Sequence, residues 1–356
     1  MTDGTAHPLP ELWRKASAAK IFWPLITLAL LLAFNLLFTK GFFHIQIKDG
    51  HLYGSLIDIL NRASPLMLIA TGLTLVIATG GIDISVGAVV AISGAMAATL
   101  IGGTLVLKGG VQTYVTLVPM PVAIVAALVL AAVFGLWNGF LVSRVGMQPI
   151  VATLILIVAG RGVAQLITAG QIITIYYKPW FYVGNGFLLG LPFPLYLVAL
   201  VLLLTVLITR KTALGLFIES IGINPKASRM AGINAKNLVL WVYTFCAFCA
   251  GVAGLIVCSN VKSADGNNAG LFFELDAILA VVLGGTAMTG GKFYLMGSIV
   301  GALIIQTLTT TIYARGVPPE ITLVVKAIVV FLVMMFQSAK FRRTLFGKLG
   351  SQVAKP

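Results

Sequence analysis

The chain has 356 residues, of which 59% are hydrophobic and 10% are charged, and its mean hydropathy is +1.03. Soluble domains carry about 25% charged residues, so this composition excludes a soluble globular protein. The net charge of +14 comes from basic residues in short loops between apolar runs, which is typical of membrane proteins and argues against nucleic-acid binding. The composition predicts an all-α polytopic membrane protein.

Ten apolar segments follow one another along the chain, and each has roughly the length that crosses about 30 Å of hydrocarbon. They lie near 22–38, 64–80, 84–102, 118–140, 149–168, 194–209, 238–259, 274–289, 294–312 and 320–337. The first is expected to be a retained helix, because no small-residue cleavage site follows it. We therefore predict a cytoplasmic N-terminal segment (1–21), a transmembrane domain (22–338) and a basic cytoplasmic tail (339–356).

The basic residues predict the orientation. If the N-terminus is cytoplasmic and all ten segments cross, 15 of the 24 Lys and Arg residues are cytoplasmic and 7 are outside. Cytoplasmic loops of membrane proteins carry an excess of these two residues. The bias therefore predicts that both termini are cytoplasmic.

Two segments run into glycine-rich stretches, after Thr79 and after Leu283. Interrupted segments of this kind, in both halves of a chain, hint at an internal repeat of the type found in transporters. Carboxylates near such breaks are expected to act as caps or dipole partners of the adjoining helices. The residues that we assign to structural helix breaks are Gly80, Gly81, Asp83, Ser85, Glu274, Asp276, Gly284 and Gly285.

Small residues indicate close helix packing. Gly135 and Gly139 are four residues apart, as are Gly297 and Gly301, and this spacing lets membrane helices approach closely. All three cysteines lie in the segment 238–259, whereas every histidine is near the N-terminus. We therefore interpret the cysteines as packing residues rather than as a redox or metal site.

Polar residues inside the apolar segments are candidates for a transport pathway, because each is unfavourable in lipid unless it faces the interior or water. The candidates are Asn138, Gln148, Thr153, Arg161, Gln165 and Gln306. No Ser/His/Asp set, metal cluster or pair of catalytic carboxylates stands out, so we do not predict an enzyme.

The longest cytoplasmic loop, 210–237, carries the signals of a short helix. Asn224 can cap a helix start, Pro225 needs no amide partner there, and Gly232 can end the helix. Such a helix either docks into a groove on a soluble partner or is a solvated amphipathic connector. The residues assigned to docking are Glu219, Gly222, Asn224, Lys226, Ala227, Ser228, Arg229, Ala231 and Gly232.

The chain does not match a phosphate-binding loop. In the nearest stretch, Thr286 takes the place of the first glycine and Phe293 that of the Ser or Thr that would bind magnesium. We expect no cofactor in this chain, so that any ATP and magnesium would belong to a partner subunit.

Three stretches resemble the permeases of ribose-type sugar importers of the ATP-binding cassette superfamily. They are TGGIDISVG at 79–87, the loop residues 222–233, and ELDAI with the following LGGT and GG at 274–291. A narrower likeness, to the permeases of galactofuranose importers, is carried by residues 57–63, 148–156, 159–171 and 264–270.

This resemblance implies a multi-pass permease in the lipid of a bacterial inner membrane, which carries a monosaccharide such as galactofuranose. It also implies three protein partners: a cytoplasmic ATP-binding cassette ATPase, a second permease chain, with a heterodimer favoured, and a periplasmic sugar-binding protein. One alternative is a secondary sugar transporter driven by an ion gradient, which would need an essential intramembrane carboxylate. Another is a membrane enzyme acting on lipid-linked sugars, which would need paired carboxylates or metal ligands.

Overall fold

The computed structural model describes residues 21–39, 41–48, 50–102, 104–108 and 111–337. The predicted N-terminal segment, apart from its last residue, and the predicted tail lie outside these ranges. The helices are α1 (Phe22–Phe38), α2 (Ser55–Ala78), α3 (Val86–Ile101), α4 (Met120–Phe140), α5 (Pro149–Ile167), α6 (Tyr182–Asn185), α7 (Phe193–Lys211), α8 (Leu214–Ile223), α9 (Pro225–Met230), α10 (Ala235–Val261), α11 (Phe273–Leu283), α12 (Leu295–Ala314) and α13 (Pro319–Gln337). A π-helical turn, Leu141–Val145, continues α4.

Short strands pair in four antiparallel couples between these helices. They are β1 (Gln46–Lys48) with β2 (His51–Tyr53), β3 (Thr104–Lys108) with β4 (Val111–Val115), β5 (Ile173–Thr174) with β8 (Ser263–Ala264), and β6 (Phe187–Leu188) with β7 (Leu191–Pro192).

Every predicted apolar segment contains a helix. Six of the described helices are long and apolar enough to cross a membrane, namely α2, α4 with its π-helical turn, α5, α7, α10 and α12. The apolar helices α1, α3, α8 and the central part of α13 are shorter. This architecture is that of a mostly helical, multi-pass membrane protein.

The predicted segment 274–289 is wrong in its extent, because α11 ends at Leu283. Eleven residues rise only about 16 Å, roughly half of the hydrocarbon thickness. Hydropathy does not detect this end, because the chain stays apolar while Gly285, Gly290 and Gly291 take up left-handed backbone angles of φ +85° to +93°. The second departure lies in the loop 210–237, which contains the helix α8 in addition to the predicted short helix, α9.

The core is built around α2 and α10. Every residue of α2 from Ala63 to Ala78 is buried, as expected for a helix that is surrounded by other helices. Gly72 of α2 faces the backbone of Cys246, and an added Cβ would lie 2.8 Å from the Cα of that cysteine. Gly135 faces Thr244 in the same way, so α10 is held closely between α2 and α4. The packing role that was predicted for the spaced glycines and for the cysteine segment is confirmed at these contacts.

The two ends of the bundle differ. At one end lie α8, α9 and the glycine-rich stretches, and the Arg144 side chain donates a hydrogen bond to Asn237 there. The basic residues of that end are Arg144, Arg210, Lys211, Lys226, Arg229, Lys236 and Lys292. The opposite end carries the strand pairs, where the Leu52 amide donates to the Gly190 carbonyl at 3.0 Å.

Candidate functional site

The loop 262–272, which contains β8, turns back into the helix bundle before α11. Two of its residues, Lys262 and Phe272, have left-handed backbone angles of φ 58° and 66°, which is uncommon for side chains larger than glycine. At its inner end Gly270 packs on the start of α3, where an added Cβ would lie 2.7 Å from the Gly87 carbonyl oxygen. The helix α11 therefore begins inside the bundle rather than at its surface.

Two predicted pathway residues on α5 hold this loop. The Arg161 Nη1 group donates to the carbonyl oxygens of Ala269, at 2.5 Å, and Asn267, at 3.3 Å. The Gln165 Nε2 group donates to the Asn267 side-chain oxygen at 2.6 Å. Arg161 and Gln165 are one helical turn apart, so a single face of α5 carries both. The structure thus brings these two residues together with a polar loop.

The Asp265 carboxylate organises the exposed part of the loop. Its Oδ1 atom accepts the Asn267 amide at 2.8 Å, and its Oδ2 atom accepts the Asn268 side-chain amide at 2.7 Å. Desolvation alone would raise the pKa of Asp265, but these hydrogen bonds and the nearby Arg161 guanidinium outweigh it and hold the pKa below its ordinary value. The carboxylate therefore stays ionised at neutral pH.

A cavity of about 470 Å³ lies beside the loop, between α3 and α10. Its walls are mainly apolar, and Asp265 and Asn268 contribute polar groups. Small-molecule sites usually combine apolar walls with a few placed polar groups in this way. Asp265, Asn267 and Asn268 were not among the predicted pathway residues. The available signal was the polar run 265–268, which lies five residues before the ELDAI stretch.

Asn138 lies in a different environment, at the break between α2 and α3. Its Nδ2 group donates to the Ser85 hydroxyl at 2.8 Å, and that hydroxyl donates to the Asp83 carboxylate at 2.6 Å. All three side chains are buried, and Asp83 also accepts the Ser85 amide at 2.9 Å. Asp83 thus stabilises the turn that begins α3, as its predicted role as a helix-break residue requires, and Asn138 ties α4 to that turn.

The other three candidates are dispersed. Gln148 is exposed, directly before the first residue of α5. Thr153 is buried and donates to the Pro149 carbonyl oxygen of its own helix at 3.0 Å. Gln306 donates to the Thr310 hydroxyl, also on its own helix, at 3.3 Å. The structure does not bring these residues together with Arg161 and Gln165.

The two carboxylates at the start of α11 have different surroundings. The Glu274 side chain is buried next to Gly87, and a Cβ added at Gly87 would clash with the Glu274 Oε2 atom. Asp276, for which a capping or dipole role was expected, forms an ion pair with Lys326 of α13, with 2.5 Å between Oδ2 and Nζ. This pair was not predicted from the sequence.

The helix α9 begins and ends as predicted. The Asn224 Oδ1 atom accepts the amides of Lys226 and Ala227, each at 3.1 Å. At the other end Gly232 has φ +84°, and the Ile233 amide donates to the Ser228 carbonyl oxygen at 3.0 Å, which is the hydrogen bond of a Schellman motif. The local capping signals therefore determine this helix.

The exposure of α9 divides the predicted docking residues. Ser228 is only 5% exposed and packs inward, so it is not available to a partner. Ala227 is exposed and Met230 is 91% exposed, so both lie on the outer face. The remaining exposed members of the predicted set are Asn224, Lys226, Arg229, Ala231 and Gly232, whereas Glu219 is half-buried.

Gly222 has a packing role that the sequence analysis did not separate from docking. An added Cβ would clash with the Ala78 carbonyl oxygen and with the Gly291 amide, which donates to that same carbonyl at 2.8 Å. A Cβ added at Gly290 would lie about 3.0 Å from backbone atoms of both Gly80 and Gly222, so these glycines also pack closely. The helix α8 thus rests on both glycine-rich breaks, and we call this contact of Ala78, Gly222 and Gly291 the glycine junction.

Residues 55–334 match the family described as the branched-chain amino acid transport system / permease component. The galactofuranose transporter permease protein YtfT of Escherichia coli (strain K12) is 50% identical over 324 residues, covering 90% of this chain and 91% of that protein. The fructose import permease protein FruF of Bifidobacterium longum (strain NCC 2705) is 38% identical, with 92% and 90% covered. The ribose import permease protein RbsC of Escherichia coli (strain K12) is 34% identical, with 89% and 93% covered. No solved structure matches the chain.

Proposed function

Since the chain belongs to the family of branched-chain amino acid transport system permease components, we propose that it is the membrane-spanning subunit of an ATP-driven monosaccharide importer. The observation that carries this proposal is the 50% identity, over nine tenths of both chains, to a permease named for galactofuranose. The family description names amino acids, but the similar permeases reported above are named for sugars. The proposed substrate is therefore a furanose such as galactofuranose.

The partners follow from this role. A separate cytoplasmic ATPase binds ATP and magnesium, a second permease chain completes the membrane unit, and a periplasmic binding protein delivers the sugar. We favour a heterodimer of permease chains in a bacterial inner membrane. The family description, which calls these chains components of a transport system, supports an assembly of several proteins.

The charges of the two ends support the orientation. Of the described basic residues, seven lie at the end with α8 and α9 and six at the end with the strand pairs. The eight basic residues of the two terminal segments raise the count on the proposed cytoplasmic side to 15 of 24, and cytoplasmic segments are enriched in such residues. We propose that this end is cytoplasmic, that the strand pairs are periplasmic and that both termini are cytoplasmic. Reporter fusions after Lys236 and near Gly186 test this topology, with cytoplasmic activity expected at the first and periplasmic activity at the second. Cytoplasmic activity at Gly186 would contradict it.

The proposed docking element for the ATPase is α9. Its outer face presents Ala227 between two basic side chains, Lys226 and Arg229, and the exposed Met230 follows. Small and apolar side chains in the middle with charges at the rim suit insertion into a groove. The glycine junction supports a mechanical role, because α8, which directly precedes α9, contacts the ends of both interrupted segments.

The test of this element is Ala227→Trp, with Ala213→Trp as the matched control. Both alanines are exposed at the same end of the bundle, but Ala213 precedes α8 rather than lying on α9. Ala227→Trp is expected to insert normally, to abolish co-purification with the ATPase and to abolish uptake, whereas the control keeps all three. If Ala227→Trp retains both partner and uptake, α9 is only a solvated connector.

The substrate and partners are tested together. The chain is purified in mild detergent from its native membrane, and the proteins that accompany it are identified by mass spectrometry. Uptake of labelled galactofuranose, ribose and fructose is then measured in vesicles that contain the complete complex. We expect an ATPase, a second permease and ATP-dependent uptake of galactofuranose. Uptake that proceeds without ATP and follows an ion gradient would overturn the proposal.

A further inference from the structure

An ion pair lies in the part of the molecule that crosses the membrane. Lys326 of α13 and Asp276 of α11 approach to 2.5 Å, although they are 50 positions apart in the chain. Lys326 lies seven residues after the first residue of α13, about 10 Å along that helix. Asp276 is in the first turn of α11, which begins inside the bundle. Both charges are therefore below the membrane surface.

The pair forms part of the wall of a groove between these two helices. The groove has a volume of about 440 Å³, and Phe272, Leu275 and Phe331 are among its other lining residues. Leu275 and Phe331 are 51% and 66% exposed, so the groove opens on the outer surface of the bundle rather than towards its core. The side chains of Lys326 and Asp276 keep 13% and 19% of their surface accessible, so the pair is not fully buried by protein.

Such a position needs a physical reason. Ionisable residues inside membrane segments almost always face a water-filled route or the protein interior, because hydrocarbon solvates them poorly. If the ion pair only linked α11 to α13, an apolar contact of similar volume would stabilise that link at least as well. The partly accessible charges in an open groove are therefore an argument for water on that side.

We propose that this groove is part of an aqueous route, in which the Asp276 carboxylate and the Lys326 ammonium hydrogen-bond to the hydroxyls of a monosaccharide. This inference rests on the proposed function as a sugar permease. A carboxylate accepts and an ammonium donates hydrogen bonds, so together they match hydroxyl groups, which do both. Phe272 and Phe331 supply apolar surface for the C–H faces of a sugar ring, and the volume of the groove lies within the range of small-molecule sites.

Water access is tested by cysteine labelling of the complete complex in membrane vesicles. Ala327→Cys places a thiol in the groove, whereas Ile328→Cys, at the next and exposed position of α13, places one outside it. Labelling by a charged methanethiosulfonate reagent is expected at 327 and not at 328, and the native chain, with its three buried cysteines, gives the background. Saturating galactofuranose, ribose or fructose, whichever the native complex transports, is expected to slow labelling at 327 at least fivefold.

Three results of that experiment would overturn the inference. If position 327 resists the charged reagent but reacts with a lipid-soluble maleimide, acyl chains fill the groove. If it resists both reagents, the second permease covers the groove in a dry contact. Labelling that no transported sugar slows would show an aqueous groove that does not bind the substrate, which also contradicts the proposal.

The roles of the charges are tested by Asp276→Asn, Lys326→Met and the double variant. The double variant leaves no unpaired charge, so a purely structural pair predicts that it regains uptake relative to either single variant. Our proposal predicts that uptake stays at least tenfold below that of the native complex, while the ATPase still co-purifies. If the native complex takes up none of the three sugars, the proposed function is refuted. If the native complex takes up a sugar and the double variant takes it up equally well, only this inference is refuted.

Discussion

Removing the N-cap of α9 gives the sharpest test of how this helix is held. Asn224→Ala deletes the acceptor of two amide hydrogen bonds, each 3.1 Å long, at the start of a six-residue helix. Loss of such a cap costs about 1 kcal/mol, and so short a helix has little stability of its own. The population of folded α9 relative to the unfolded segment should therefore fall by about fivefold.

This change sets an upper limit on the loss of affinity for the ATPase. When only a fraction of the molecules is competent to bind, the apparent dissociation constant rises by the inverse of that fraction. We expect Asn224→Ala to raise the Kd by up to about fivefold, because the inward-packed Ser228 and the Schellman hydrogen bond still hold the helix. The Kd is measured by titrating the purified ATPase onto the chain in nanodiscs.

The matched control is Asn224→Ser, because serine caps helices about as well as asparagine. Its Kd should stay within about twofold of the native value, which corresponds to roughly 0.4 kcal/mol. Equal losses in the Ala and Ser variants would refute the capping argument and would indicate that the Asn224 amide contacts the ATPase directly. No loss in either variant would show that α9 does not limit docking.

Three further predictions follow from the structure. Gly222→Ala should destabilise the glycine junction by about 1–3 kcal/mol through overpacking. The control Gly162→Ala, whose added Cβ meets nothing within 4 Å, should not lower the melting temperature, because alanine favours the helix α5 over glycine. Gln165→Leu and Asn138→Leu should each reduce sugar uptake without loss of the ATPase, and unchanged uptake in both would leave the pathway assignment without support. Because the pKa of Asp265 is lowered in the folded loop, its stabilising effect is present at neutral pH and is lost as the pH falls below about 4. Hydrogen exchange of the loop 262–272, corrected for its intrinsic pH dependence, should therefore accelerate below that pH in the native chain but not in Asp265→Asn.

Local signals predicted the elements that local chemistry controls. The start and end of α9 follow from Asn224, Pro225 and Gly232, whose capping and backbone preferences act within a few residues. The inward direction of Ser228 could not be predicted, because it depends on the packing of α9 against the rest of the chain. For the same reason Gly222, which packs on two distant breaks, could not be distinguished from the docking residues by its sequence position.

The arrangement around α11 was not accessible to hydropathy. The apolar run continues past Leu283, but backbone contact of Gly284 with Gly297 and the left-handed glycines that follow end the helix there. The polar loop before α11 was expected to lie outside, and its re-entry depends on the turn at Phe272 and on the donors of Arg161. The pairing of Asp276 with Lys326 joins two helices that are distant in sequence, and only the assembled bundle brings them together.

The central position of α2 has a consequence for the synthesis of the protein. Of the six long helices it has the lowest mean hydropathy and the largest buried share. Lipid alone therefore holds α2 weakly when it leaves the translocon, and its main packing partner, α10, is made much later. Until α10 arrives, α2 remains a poorly anchored segment that membrane quality-control proteases can extract. Substitutions that weaken α10 should consequently lower the amount of protein in the membrane before they lower the activity of the molecules that remain.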